Sequence, residues 1–143
     1  MILPDVNVLI CAFRRDVPQH GLCRRWLNDV VSGDARFGIS PMVLSAVVRI
    51  TTNSRAFKVA SPAREAFAFC DNLLGQPHCQ VIEPGERHWQ IFSLLCLETK
   101  TRGPRVTDAW FAALSIESGC EWITLDRDFA RFPGLRWQEP AAE

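Results

Sequence analysis

Short apolar runs alternate along the chain with longer stretches whose apolar positions recur at helical spacing. Ile2-Leu3 opens a first run that reads as a strand ending at Asp5. Over 18–31, Leu22, Trp26, Leu27, Val30 and Val31 fall on one helical face, with Gly33 beyond as a stop. Phe37-Gly38-Ile39 reads as a brief strand, and Pro41 at a first helical position starts a helix over 42–50. Ser61-Pro62 predicts the next helix, with Ser61 as cap and Glu65 in the first turn, ending near Gly75-Gln76-Pro77. A strand over 79–82 closes at Pro84-Gly85, and a helix over 86–100 sets Trp89, Phe92, Leu95 and Cys96 on one side. After the polar break Thr101-Arg102-Gly103-Pro104, Thr107 reads as the cap of a helix over 108–118 that Gly119 stops. Strands are expected over 121–125 and, at an edge, over 135–137.

Strands alternating with helices are the pattern of a parallel sheet covered on both faces. Composition shifts, repeats and low-complexity tracts are absent, so the expectation is one α/β domain over 1–143. No apolar run reaches the ~18–20 residues of a membrane span, and the N-terminus lacks the basic-then-apolar order of a leader. A cytoplasmic protein without membrane association is expected.

Charge changes the picture only when its placement is considered. Lys plus Arg and Asp plus Glu are 16 each, which excludes binding of nucleic acid through bulk charge alone. Residues 1–64, however, carry nine bases and four acids, whereas 65–143 carry seven and twelve. A basic half beside an acidic half suits a polyanion-binding face next to an acidic centre; it equally suits solvated helix faces that differ by accident. The six cysteines form no C-x-x-C pair and sit mostly among apolar neighbours, so free buried thiols are expected and a zinc site is not.

In open parallel sheets functional groups gather past the carboxyl ends of the strands. Asp5 ends the first strand, Asp126 follows the strand over 121–125, Asp128 lies just beyond, and Asp108 begins a helix. Carboxylates converging without a cation repel one another. A hard divalent cation resolves that repulsion, activates water and stabilises a displaced phosphodiester. Each acid also has a plain structural reading: Asp5 as a turn cap, Asp108 as a dipole-favoured first-turn acid, and Asp126-Arg127-Asp128 as a solvated turn.

Three segments carry a family resemblance. Asp5-Val6-Asn7-Val8-Leu9, the stretch from Thr107-Asp108-Ala109-Trp110 to Ser118-Gly119, and Thr124-Leu125-Asp126-Arg127-Asp128-Phe129-Ala130-Arg131-Phe132-Pro133-Gly134-Leu135 together resemble PIN-domain proteins, and more closely the VapC ribonuclease toxins of the mycobacterial type. His20, Arg25-Trp26-Leu27, the Val48-Arg49-Ile50-Thr51-Thr52-Asn53 segment, Trp89 and Arg136-Trp137 extend the likeness nearly end to end.

The resemblance implies a PIN-like three-layer α/β/α fold, with a central parallel β-sheet flanked by helices. It implies a Mg²⁺- or Mn²⁺-dependent endoribonuclease, acting on an RNA such as tRNA or rRNA and neutralised by a VapB-type antitoxin. A homodimer is also implied. Carried over by position, Asp5, Asp108 and Asp126 are the expected catalytic residues and metal ligands, with Asp128 a further ligand; Asn7 and Thr124 match polar residues that steady them. One departure stands out. Many PIN nucleases carry a Glu about where this chain has Ser45-Ala46-Val47-Val48, and no acid occurs between Ala35 and Arg64. A degenerate PIN domain that binds RNA or protein without cutting therefore remains the alternative. A phosphorylated-Asp enzyme fits poorly, because Val6 and Asn7 flank Asp5 where a second acid belongs. Arg14, Arg15, Arg24, Arg25 and Arg49 are the expected RNA-facing cations, with Arg49 alternatively snorkelling to solvent.

Overall fold

A computed structural model describes residues 1–141. Its elements are β1 (Ile2–Pro4), α1 (Val6–Phe13), α2 (His20–Ser32), β2 (Phe37–Ile39), α3 (Pro41–Thr51), α4 (Ala63–Leu74), β3 (Cys79–Val81), α5 (His88–Thr99), α6 (Val106–Ser118), β4 (Glu121–Ile123) and β5 (Trp137–Gln138). The strands form one sheet in the order β3-β2-β1-β4-β5, and every pairing is parallel. Helices flank this sheet, the α/β/α arrangement expected from the sequence. Among the described residues no helix is long and apolar enough to cross a membrane. All six cysteines are free thiols.

The order follows from the chain. It runs outward from β1 through β2 to β3, then returns to the other side of β1 for β4 and β5. The reversal between β1 and β4 is a topological switch point, where a crevice opens beyond the carboxyl ends of the strands. Registration of Leu3 with Trp122 and Pro4 with Ile123 sets Asp5 beside Thr124 at that crevice. The core beneath is apolar and aromatic. Trp122 packs against Phe111 and Phe129, with centroids 5.4 and 5.6 Å apart, tying β4 to α6 and to the 3₁₀ turn Arg127–Arg131.

Several local expectations are corrected. Residues 6–13 form a helix, α1, that the continuous apolar run concealed. β4 ends at Ile123 rather than 125, and β5 begins at Trp137. Thr107 lies inside α6, which a 3₁₀ turn over Gly103–Arg105 starts one turn earlier. Ser61 is no cap: its buried hydroxyl accepts from Arg14 Nη1 at 2.9 Å, and Pro62 holds the cap position without a side-chain bond. Trp89 does not share the buried side of α5 with Leu95; it is 71% exposed.

β2 passes so close to its neighbours that Gly38 has no room for a side chain. A Cβ there would lie 2.8 Å from Ile82 Cγ1 and 3.3 Å from the Ile2 carbonyl oxygen. Gly38→Ala is therefore expected to lower stability by about 1–3 kcal/mol. Urea unfolding checks this: the midpoint falls at constant m. An unchanged midpoint would show that β2 moves aside freely.

Candidate active site

Asp5 occupies the first residue after β1, in extended conformation, and caps α1. Its backbone N–H donates to the Ile123 carbonyl at 2.8 Å, so the β1–β4 ladder itself holds the residue in place. Around the carboxylate, Val6 N–H donates to Oδ1 at 2.6 Å, while the Thr124 hydroxyl and Asn7 Nδ2 donate to Oδ2 at 2.6 and 3.2 Å. Asn7 also braces the opposite wall: its Oδ1 accepts from Leu125 N–H at 3.1 Å. The Thr124 hydroxyl oxygen in turn accepts from Asp126 N–H at 3.0 Å. Asn7 and Thr124 thus stitch the ends of β1 and β4 together through Asp5.

The three bonds do not offset the loss of water. Burial pushes the Asp5 carboxyl up to about 6; the Thr124 and Val6 bonds oppose that shift, and the nearby Asp108 and Asp126 charges add to it. Asp108 sits in the first turn of α6, half-buried, where the helix dipole favours a carboxylate. Its carboxyl is also raised, first by burial, with Arg131 opposing and Asp126 adding. Asp5, Asp108 and Asp126 therefore share one electrostatic field. Asp128 faces elsewhere: it pairs with Arg105 at 3.4 Å, and its side chain is 61% exposed. Its N–H is held by Asp126 Oδ1 at 2.9 Å, which shapes the turn after β4.

The donor set suits a hard divalent cation. Carboxylate oxygens are the ligands Mg²⁺ and Mn²⁺ prefer, and Mg²⁺ commonly takes one or two of them with water completing the shell. Among the described residues no three His, Cys, Asp or Glu side chains close around a common point. A cation held by some of these carboxylates with water completing its shell suits the donor set better than an all-protein cage. Helix α3 adds no acid, since none occurs between residues 35 and 64.

The structure redistributes the expected cations. α1 separates Asp5 from Arg14 by about 13.5 Å at 1.5 Å per residue, so the arginines after α1 do not border the acidic centre. Arg14 is committed besides: it binds Asp16 and Ser61 and covers the Phe57 ring at 4.2 Å. Arg49 is exposed on α3. His20 Nδ1 bonds the Cys11 carbonyl oxygen at 2.8 Å, and buried His88 bonds the Trp110 carbonyl oxygen through Nε2 at 2.9 Å. Both histidines brace helices. The cations that border the acids are Arg131 and Arg105, which sequence reasoning passed over. One signal was present: Arg131 follows Asp128 by three residues, the spacing at which side chains and carbonyls meet on a helical turn.

The PIN domain family model matches residues 2–135. The chain is 39% identical over 140 residues to Ribonuclease VapC25 of Mycobacterium tuberculosis, covering 98% of this chain and 99% of that protein. Ribonuclease VapC31 of the same organism is likewise 39% identical over 140 residues, with the same coverage. Among solved structures, VapBC2 from Rickettsia felis bound to a promoter DNA fragment superposes with a TM-score of 0.71 at 16% identity, covering 97% of this chain and 98% of that one. A shared fold, near-complete mutual coverage and aspartates at the β1/β4 switch point lead to one assignment: the chain belongs to the PIN-domain family, in its VapC ribonuclease branch.

Proposed function

We propose that this protein is the toxin of a type II toxin–antitoxin pair, a divalent-metal-dependent endoribonuclease whose whole chain works as one PIN domain on RNA in the cytoplasm. The observation that carries this reading is the convergence of Asp5, Asp108 and Asp126 on one field at the switch point, with Asp5 buried and held by three donors. When bound, Mg²⁺ or Mn²⁺ supplies a polarised phosphoryl oxygen and an activated water. Asp5, Asp108 and Asp126 would hold the cation, with Asp128, now paired with Arg105, as the outermost ligand. Asn7 and Thr124 fix the Asp5 rotamer. Burial first, and then the Asp108 and Asp126 charges, raise the proton affinity of the Asp5 carboxylate, and a cation would relieve the same unfavourable charge.

The non-catalytic alternative draws support from the acid-free α3. Expression under an inducible promoter separates the two. The catalytic reading expects growth arrest with new internal RNA 5′ ends, both relieved by a cognate antitoxin. Arrest without new RNA ends favours the binding module.

Two surfaces suit the expected partners. An open groove of about 1170 Å³ runs between α2 and α4, with Leu27, Val31 and Phe69 inside and Arg15 and Arg24 along it. Those two cations suit an antitoxin segment carrying acidic residues beside apolar ones. On α5, Trp89 and Leu97 (76% exposed) flank neutral Gln90 and Ser93, an uncharged face that a second copy can meet about a two-fold axis. Leu97→Glu is expected to convert a homodimer to a 16.2 kDa monomer in light scattering. A monomeric parent, or a dimeric Leu97→Glu protein, would remove α5 as that interface.

A further inference from the structure

We infer that Arg131 is a phosphate-positioning residue of the candidate nuclease site, exchanging a weak contact with Asp108 for an RNA phosphate oxygen. The inference rests on the metal-dependent reading above and adds the group that meets the substrate's charge. Arg131 closes the 3₁₀ turn that Asp126 begins. Nη1 donates to the Asp128 carbonyl oxygen at 2.9 Å, and the guanidinium carbon lies 4.3 Å from the centre of the Phe132 ring. These two contacts fix the planar group from one edge and one face. The remaining nitrogen, Nη2, reaches Asp108 Oδ2 at 3.5 Å, too long for a strong charge-assisted bond.

The contrast between firm and loose contacts is informative. A full charge-assisted bond between a guanidinium and a carboxylate measures about 2.7–2.9 Å, and the Asp108 contact falls short of one. Here the anchor is the backbone and the aromatic ring, while the Arg131 side chain stays 24% exposed beside a half-buried acid of the site. A guanidinium offers donors in a planar array that matches phosphate, and weak hydration makes its transfer to a phosphate inexpensive. With Asp108 engaged by a cation, Nη2 would lose its carboxylate partner and be left to meet a phosphate oxygen, while the Asp128 carbonyl and the Phe132 ring still hold the guanidinium. Among the described residues no other cation combines these features. Arg105 pairs with Asp128 where both side chains are largely exposed, and Arg14 is held at the far end of α1.

The test uses Arg131→Gln and Arg131→Lys in the full chain, with two binding measurements on each. Mn²⁺ binding is titrated without RNA, and binding of a short mixed-sequence RNA oligonucleotide is titrated in Mn²⁺ across a salt series. For Arg131→Gln the expectation is an unchanged or tighter Mn²⁺ affinity, because Asp108 loses a competitor. RNA affinity is expected to fall about tenfold, and the log–log salt slope by about 0.7, the value for one phosphate contact on a single strand. Arg131→Lys retains the slope but recovers only part of the affinity, since an ammonium lacks the fork. A merely structural Arg131 gives the opposite pattern: Mn²⁺ affinity falls as Asp108 is misplaced, and the salt slope is unchanged. Either that pattern, or RNA binding equal to the parent in both variants, overturns the inference. A parent protein that binds neither Mn²⁺ nor RNA overturns instead the functional reading beneath it.

Discussion

Asp5→Asn is expected to abolish growth arrest and to lower RNA cleavage by about a thousandfold, the scale of losing a charged group from a phosphoryl-transfer site, with the fold retained. The amide keeps the size of the side chain and accepts the Val6 N–H through its remaining oxygen. It cannot accept from both Thr124 and Asn7 as Oδ2 does, and it is a poor ligand for a hard cation. Asp108→Asn is expected to act in the same direction through the same cation. Circular dichroism and the unfolding midpoint check that the protein remains folded. A folded Asp5→Asn protein with parental toxicity would remove Asp5 from the mechanism.

Metal affinity is expected to fall steeply below pH 6. The Asp5 carboxyl titrates at about 6 in the metal-free protein because burial outweighs its three hydrogen bonds. A cation must displace that proton, so apparent Mn²⁺ affinity drops about tenfold per pH unit once the carboxyl is protonated. Stability runs the other way. The folded value lies above the ordinary 3.8, so the folded chain binds more protons than the unfolded one between about pH 4 and 6. This group therefore stabilises the metal-free protein as pH falls through 6, and the gain is complete below the unfolded value. Thermal melts in chelator at pH 7.5 and 5.0 are expected to show that gain, and Asp5→Asn to remove that component. Mn²⁺ affinity independent of pH between 7.5 and 5.0 would mean that Asp5 is not a ligand.

The strand-end aspartates were legible because their meaning depends on topology that alternating apolar runs already specify. A residue that ends one strand and a residue that follows another meet wherever the two strands are neighbours, and β1 and β4 are. Helix α1 was illegible for the converse reason. Val8, Leu9, Ile10, Cys11 and Ala12 are all buried, so polarity never recurs at helical spacing. Thr107 and Ser61 misled because good capping residues also serve inside helices and in side-chain networks, as the Ser61–Arg14 bond illustrates. The regional charge imbalance did not point to the cations that contact the acids. It counted Arg14 near Asp5 in sequence, whereas a helix between them carries that charge away, and the cations beside the acids come from the acidic half. An ion pair joining residue 108 to residue 131 depends on how α6 and the turn after β4 pack, which no local pattern encodes. Exposure of Trp89 was hidden likewise, because α5 is apolar on more than one face.

Hydrolysis of total cellular RNA by the purified protein, mapped at its new 5′ ends in Mg²⁺ or Mn²⁺ and again in excess chelator, tests most directly whether these acids form a metal-dependent nuclease. Discrete cleavage is expected with either metal, none with chelator, and about a thousandfold less from Asp5→Asn with either metal. The same cleavage in chelator, the same cleavage by Asp5→Asn, or no cleavage of any RNA in the pool by the metal-supplied parent would contradict it.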